Sequence, residues 1–253
     1  MKFLTLNIYK GLCLEKVISF IEEGQFDVIH MQEVTGGAEG FTDIDCFTEI
    51  KKRTGMQGEL AVSWNRAGDK SAYLGNATFF SPSIILEERV DLRFTPLEEL
   101  EDSKKTAASR HPRNALFLRF KKDSDFFWSV NTHMAWGPTP FDEPYKIEAA
   151  KILARNMEQL KEPFLLAGDF NVVTDTEVIG LIEPLARNLI REKGVINTLN
   201  PRLHRVPELF PPGLAVDYIF IHPSISINNF KVLDQVDLSD HQGLMVDFQL
   251  MKP

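Results

Sequence analysis

The sequence predicts an α/β fold in which two β-sheets pack together with helices outside and strand ends gathered along one edge. Three observations predict it. The chain opens strand, helix, strand; its middle is a run of strand-like segments without helices between them; and acidic, amide and imidazole residues recur where apolar runs end.

Lys2 to Ile8 alternates and is rich in strand formers, with Asn7 and Gly11 marking a turn. Leu14, Val17, Ile18 and Ile21 then fall at helical spacing, with Gly24 as a stop. Phe26 to Met31 is a second buried strand ending at Gln32-Glu33. Strand, helix, strand implies neighbouring parallel strands. Phe41 to Arg53 reads as a second helix, followed by strands at Glu59 to Trp64, Ala77 to Phe80, Ser83 to Glu88, Ala115 to Phe120 and Phe126 to His133. Short connections between them imply antiparallel pairing. The polar segment between Asp91 and Arg113 fits no element and is a candidate flap beside the site. Asp142 to Lys161 is the clearest helix: Ile147, Ala150, Ala154 and Met157 share a face flanked by Leu153 and Leu160, and Pro144 sits in the first turn. After the strand Phe164 to Ala167, Thr174 and Glu177 form a capping-box signature for a helix from about Asp175 to Glu192. Strands at Val216 to His222, Ile225 to Val232 and Leu244 to Leu250 end the chain.

With 253 residues, 43% of them hydrophobic, and no linker or repeat, the chain reads as one domain, residues 1–253. Pro138, Pro140, Pro144, Pro207, Pro211 and Pro212 read as loop punctuation. The net charge of −8 and the lack of a basic stripe argue against tight non-specific binding to duplex DNA. The densest positive stretch, Lys104 to Arg113, follows an acidic run at Glu98 to Asp102. A phosphorylated substrate remains compatible, because a bound divalent cation inverts the local field. The two cysteines, Cys13 and Cys46, give neither a disulfide framework nor metal-ligand spacing. No signal-peptide pattern or membrane-length run is present, so a cytoplasmic protein with reduced thiols and no membrane association is expected. No obligate protein partner is indicated.

The chemistry centres on Leu165-Leu166-Ala167-Gly168-Asp169-Phe170-Asn171. In extended chain Asp169 and Asn171 would point the same way. A buried strand ending in Gly-Asp is also ordinary turn chemistry; recurrence is what singles it out. Asn7 follows Phe3 to Leu6, Glu33 follows Val28 to Met31, and His133 follows Phe126 to Val130. Asp217 opens the Tyr218 strand, and Asp240-His241 precedes the last one. Asn7, Glu33 and Asp240 are hard oxygen donors of the kind Mg²⁺ prefers; zinc-type His/Cys spacing is absent. Of His133 and His241, a histidine that a buried carboxylate such as Asp217 can orient is the stronger candidate. His30, His111, His204 and His222 read as structural or loop residues. Trp64, Trp136 and Phe141 are candidates to stack on a base or sugar, although packing is the commoner role of such aromatics.

Thr5-Leu6-Asn7, Met31-Gln32-Glu33-Val34, Asn131-Thr132-His133-Met134, Gly168-Asp169-Phe170-Asn171, Val216-Asp217-Tyr218-Ile219-Phe220 and Ser239-Asp240-His241 resemble, in order, the motifs of the endonuclease/exonuclease/phosphatase superfamily. The resemblance spans nearly the whole chain. It implies a deoxyribonuclease I-like, four-layered α/β sandwich of two packed mixed β-sheets flanked by helices, and a Mg²⁺-dependent attack of water on phosphorus, with Mn²⁺ as a substitute. It implies Glu33 as principal metal ligand with Asn7 and Asp240, and Asp169 as the group that holds or deprotonates the water. Asn171 would donate to a phosphate oxygen, and His241, oriented by Asp217, would stabilise the transition state. His133 would contact a phosphoryl oxygen or the leaving group; it matches the deoxyribonuclease I branch, where exonuclease III-type enzymes carry Tyr. Arg113 matches a phosphate-binding Arg of some members. Asp240-His241-Gln242-Gly243-Leu244 resembles the ending of tyrosyl-DNA phosphodiesterases, with Gln242 where they have Trp.

Three functions follow: a phosphodiesterase or nuclease on nucleic acid ends or a nucleotide-like diester, a phosphatase on a small phosphomonoester or inositol phosphate, and an inactive binding module. Intact catalytic positions argue against the last. Specificity is expected in the loops Thr35–Asp43, Arg66–Gly75, Asp91–Arg113, Ala135–Asp142 and Asn200–Ala215.

Overall fold

The computed structural model describes every residue except 38–40, 42, 97, 102–104, 207, 209–212 and 252–253. The expectations for Pro207, Pro211, Pro212, Asp102 and Lys104, and parts of three of the loops named above, therefore lie outside the described residues.

The chain runs β1 (Lys2–Asn7), α1 (Leu14–Gly24), β2 (Val28–Thr35), α2 (Cys46–Thr54), β3 (Gln57–Arg66), β4 (Asp69–Phe80), β5 (Ile85–Arg93), β6 (Glu98–Leu100), β7 (Asn114–Lys122), β8 (Asp125–His133), α3 (Pro144–Met157), β9 (Phe164–Asp169), α4 (Glu177–Gly180), β10 (Arg187–Asn188), α5 (Leu189–Glu192), β11 (Asp217–Ile221), β12 (Ile225–Val232) and β13 (Leu244–Leu250). A seven-stranded sheet has the order β12-β13-β1-β2-β4-β3-β6, and a six-stranded sheet β10-β11-β9-β8-β7-β5. β1 and β2 pair in parallel across α1, as the opening pattern predicts. β3/β4, β5/β7 and β7/β8 pair antiparallel, and β8/β9 in parallel, so both sheets are mixed.

Alternation decides which side chains meet. From β1, Leu4 and Leu6 join Leu14, Val17, Ile18 and Ile21 of α1, while Phe3 joins the core shared with the other sheet. Burying each such side chain stabilises by about 1.5–3 kcal/mol. That burial holds an 11-residue helix of a length that is marginal in isolation. Against the six-stranded sheet pack Ala149, Ala150, Leu153 and Met157 of α3.

Between the sheets runs a row of buried polar ties. Nε2 of His30 on β2 lies 2.7 Å from Ser129 Oγ on β8. Gln32 Nε2 donates to Asn131 Oδ1 at 2.8 Å, and Asn131 Nδ2 donates back to the carbonyls of Met31 (3.2 Å) and Ala77 (2.8 Å). Ser63 and Asn76 both donate to Asn114 Oδ1. Each of these residues has at least one partner, which is what makes polar side chains tolerable at such depth, although His30 Nδ1, Gln32 Oε1 and Asn76 Oδ1 are buried without one.

Several elements differ from the sequence expectation. The helix expected from Phe41 starts at Cys46, capped by Asp45 through Thr48 N. The helix expected over Asp175 to Glu192 is two single turns, α4 and α5, separated by β10; Gly180 and Pro184 interrupt it, the proline by lacking an N–H and blocking the preceding turn. The cap of α4 is Thr176 rather than Thr174, helped by Asp142, whose carboxylate accepts from Glu177 N and Val178 N. Trp64, a stacking candidate, is buried with Ala72, Leu74 and Leu100. No helix among the described residues is long and apolar enough to cross a membrane.

Candidate active site

Strand register brings three of the expected residues side by side. His133 at the end of β8 pairs with Asp169 at the end of β9, which pairs with Asp217 at the start of β11. His133 Nε2 lies 3.5 Å from Asp169 Oδ2. Gly168, just before Asp169, has φ +150°, and a Cβ there would stand 1.8 Å from the Thr132 carbonyl oxygen. Only glycine lets β9 approach β8 this closely.

The opposite sheet supplies Asn7 and Glu33. Asn7 Nδ2 donates to Asp169 Oδ2 at 3.1 Å, while its Oδ1 accepts from Tyr9 N at 2.9 Å. Glu33 is the extra residue of a β-bulge. The β2–β4 register shifts between Met31 and Val34, and Glu33 has φ 54°. A bulge frees a side chain from strict alternation, and this one turns Glu33 into the cavity. Its Oε2 is buried without a hydrogen-bond partner.

Asp240 and His241 come from the loop before β13. Asn200 ties that loop down: its N donates to Asp240 O at 2.7 Å and its Nδ2 to Ser239 O at 3.0 Å. Ser239 Oγ donates to Asp240 Oδ1 at 3.1 Å. His241 Nδ1 lies 2.9 Å from Asp217 Oδ2, and Nε2 3.8 Å from Asp169 Oδ2. Thr198 completes the support, its Oγ1 donating to Asp217 Oδ2 at 2.7 Å and accepting from the amides of Val216 and Asp217.

Electrostatics divides the two histidines. Burial opposes charge on His241, but the carboxylates of Asp217 and Asp169 outweigh it and hold the imidazole well above its ordinary value. Burial, with the Arg113 charge adding to it, holds His133 well below. Burial also pushes Asp169 above the usual carboxylate range, the His241 charge opposing and Asp217 reinforcing. Asp240 is pushed up to about 6 by burial, with the negative charge of Glu33 as a further cause. The arrangement therefore offers a proton-accepting carboxylate between one neutral and one charged imidazole.

Two expected residues differ in detail. The chain after Asp169 is not extended: Phe170 is buried and Asn171 has φ 53°, so the two polar side chains do not simply point alike. Instead Asn171 N donates to Asp169 Oδ1 at 2.9 Å, and Asn171 Nδ2 donates to Met134 O at 3.2 Å, leaving its second hydrogen for a ligand. Arg113 is 6% exposed and donates to the carbonyls of Met134 and Pro112, which fixes the guanidinium at the cavity wall.

A cavity of about 1310 Å³ opens over these groups, lined by Glu33, Arg113, His133, Asp169, Asn171, Asp240 and His241. Sequence reasoning missed Tyr9, Lys10 and Arg205, and set aside His111 and His204, all of which line it. Arg205 lies over the Tyr9 ring at 5.4 Å. No motif marks these loop residues. Trp136 also lines the cavity, 53% exposed, whereas Phe141 is exposed outside it.

The donors fit a hard divalent cation. Glu33 offers an unpartnered buried oxygen, and Asp240 a carboxylate whose charge is disfavoured next to it; an ion of opposite charge relieves both. Asp169, Asp217 and His241 also lie close enough to share an ion. There, however, Asp217 and His241 Nδ1 already hydrogen-bond one another and Thr198 holds Asp217, so this cluster reads better as an oriented acid–base group.

The model of the Endonuclease/Exonuclease/phosphatase family matches residues 4–241. Among curated proteins, the UPF0294 protein of Vibrio campbellii is 28% identical over 142 residues, a match spanning 56% of this chain and 46% of that relative. Among solved structures, an endonuclease/exonuclease/phosphatase from Bacteroides vulgatus superposes with TM-score 0.75 at 18% identity, covering 98% of both chains. A mannosyl-6-phosphatase from Bacteroides thetaiotaomicron gives TM-score 0.73 at 18% identity over 98% of this chain and 99% of its own. At such identities the likeness is one of fold.

Proposed function

This chain belongs to the endonuclease/exonuclease/phosphatase family, and we propose that it is a Mg²⁺-dependent phosphodiesterase acting on nucleic acid ends or nucleotide-like diesters. The observation that carries the reading is Asp169, with His133 and His241 within 3.8 Å, beside the unpartnered Glu33 carboxylate oxygen.

Glu33, Asn7 and Asp240 would hold the ion, which when bound lowers the pKa of water and offsets charge on the phosphoryl group. Asp169, oriented by Asn7 and by the Asn171 amide, accepts the proton of the attacking water. His241, kept charged by Asp217, donates to a phosphoryl oxygen as negative charge builds there. Neutral His133 donates to a second oxygen, with Arg113 behind it. Phe41 and Trp136, half exposed at the cavity with Lys10, Arg66 and Arg205, suit a substrate with a flat ring and more than one anionic group. The free cysteines suit a reducing, cytoplasmic setting.

A second reading, a phosphatase on a small phosphomonoester, draws on the net charge of −8, which weakens the hold on a long polyanion. The test is hydrolysis of bis(p-nitrophenyl) phosphate, p-nitrophenyl phosphate and a labelled single-stranded oligonucleotide with Mg²⁺, Mn²⁺ or EDTA, beside Asp169→Asn. Metal-dependent cleavage of the diester or oligonucleotide, lost in the variant, supports the phosphodiesterase. Monoester turnover alone supports the phosphatase. Turnover in EDTA, or in Asp169→Asn at the wild-type rate, overturns both.

A further inference from the structure

We propose that Lys146 is a positioning residue of the hydrolytic site, fastening the Trp136–Asp142 segment to Asn171 so that one cavity wall and the catalytic loop behave as a unit. The proposal rests on the hydrolase reading for its kinetic consequences.

Lys146 sits in the first turn of α3 and is 1% exposed. A buried ammonium is costly unless its three donors are satisfied. Here Nζ donates to Thr139 O at 2.8 Å, Asn171 O at 3.1 Å and Phe141 O at 3.2 Å. All three are backbone carbonyls. Among the described residues no carboxylate lies within ion-pair distance of it; Glu143, Asp169 and Asp142 act on the ammonium from farther off, so every direct contact it makes is to backbone. Volume alone would be filled at lower cost by an apolar side chain.

What the three carbonyls have in common is location. Thr139 and Phe141 belong to the connection between β8 and α3; Asn171 belongs to the loop after β9. The two segments are tied elsewhere as well, by Val173 N donating to Pro140 O at 2.9 Å and by the Asp142 carboxylate at the start of α4. Gly137 runs against the lysine, a Cβ there falling 3.2 Å from Nζ. Lys146 is the point where these ties meet.

Both segments face the cavity. Trp136, Gly137, Pro138, Thr139 and Pro140 line the cavity together with Asn171. Asn171 holds a left-handed conformation, and its amide hydrogen orients Asp169. Releasing the Asn171 carbonyl frees the residue whose amide, one peptide earlier, makes that hydrogen bond; releasing Thr139 and Phe141 loosens the wall. The first lowers kcat and the second raises KM.

The experiment compares wild type with Lys146→Met, which keeps the stem and removes the donors, and with Lys146→Gln, which keeps an amide donor and serves if the Met variant does not fold. Lys151→Met, on the exposed side of the same helix, is the control. Hydrogen exchange is followed in peptides covering residues 136–143 and 170–178, and kinetics on bis(p-nitrophenyl) phosphate with Mg²⁺. Lys146→Met is expected to speed exchange about tenfold or more in both segments together, leave β7 and β8 unchanged, lower kcat about tenfold and raise KM, with Lys146→Gln intermediate and Lys151→Met like wild type. Wild-type exchange in both segments, or exchange faster in only one, overturns the tie. A lower melting temperature with kcat and KM unchanged reduces Lys146 to a packing residue and overturns its positioning role. If wild type turns over neither the diester nor the monoester, the hydrolase reading fails, while exchange still judges the tie.

Discussion

Replacing His30 with Leu tests whether the sheets are clamped as tightly as the site requires. His30 is fully buried between β2 and β8, against Ser129 and edge-on to Phe3 at 4.7 Å. Burial pushes its imidazole down to about 3 from an ordinary 6.5. In the unfolded chain the ring takes up a proton below pH 6.5, whereas the folded protein resists until about pH 3. The folded pKa is depressed, so this residue's contribution is whole above pH 6.5 and declines as pH falls towards 3. At about pH 5.5, one unit below the unfolded value, the loss is RT ln 11, about 1.4 kcal/mol.

The whole-protein pH profile would not isolate this, because Asp169 and Asp240, whose folded values are raised, stabilise the fold as pH falls towards neutrality and below. The difference between wild type and variant does. His30→Leu leaves the Ser129 hydroxyl unpartnered, a penalty of about 1–3 kcal/mol that does not vary with pH. Urea unfolding followed by tryptophan fluorescence, with a common slope, gives the destabilisation at each pH. It should be smaller at about pH 5.5 than at about pH 8 by about 1.4 kcal/mol. Equal values at the two pHs would mean that the folded imidazole titrates normally, and that the inter-sheet layer admits water.

Asn131→Ala removes the Oδ1 acceptor of Gln32 and the donor to the carbonyls of Met31 and Ala77; urea unfolding should show a loss of about 3 kcal/mol, and a loss under about 1 would contradict the tie. Asp217→Asn should lower kcat on the diester about 10³-fold with little change in KM, because His241 loses both its orientation and its charge partner; an unchanged kcat would remove His241 from the mechanism. Millimolar Mg²⁺ should raise the melting temperature of wild type and Glu33→Gln should abolish that rise, while in EDTA the variant should melt no lower than wild type, its unpartnered carboxylate being gone. A Mg²⁺ shift that survives the change would place the ion elsewhere.

Much of this was legible because it is local. The α1 stripe, the Val28 to Met31 run and the polar residues ending each strand all lie in short windows, and β-register then brings His133, Asp169 and Asp217 together without further help. What escaped was set by distant partners. Glu33 reaches the cavity through a bulge defined by pairing with β4, and nothing in Met31-Gln32-Glu33-Val34 reports that register. Asn171 curls into the left-handed region because its amide finds Asp169 and its side chain finds Met134. Thr198 and Asn200 support Asp217 and Asp240 from a stretch with no motif at all. Gly180 and Pro184 were visible as breakers, yet the apolar spacing around them outweighed them in a reading by periodicity.

The distribution of backbone strain links fold to function. Among the described residues, six other than glycine have positive φ: Tyr9, Lys10, Gln25, Glu33, Asp123 and Asn171. Gln25 ends α1 and Asp123 turns the β7–β8 connection, ordinary places for that conformation. The other four lie on the cavity. Each such residue costs on the order of 1 kcal/mol or more, and persists only where its surroundings over-determine it. Here they do: Asn7 Oδ1 holds the Tyr9 amide, Phe41 N bonds the Lys10 carbonyl, the β2–β4 bulge holds Glu33, and Asp169 with Lys146 holds Asn171 from either side. Asn7 and Asp169, which do part of that holding, are joined across the two sheets. The polar ties between the sheets therefore set more than stability, since loosening them would relax the strained residues and disperse the groups they aim at one point.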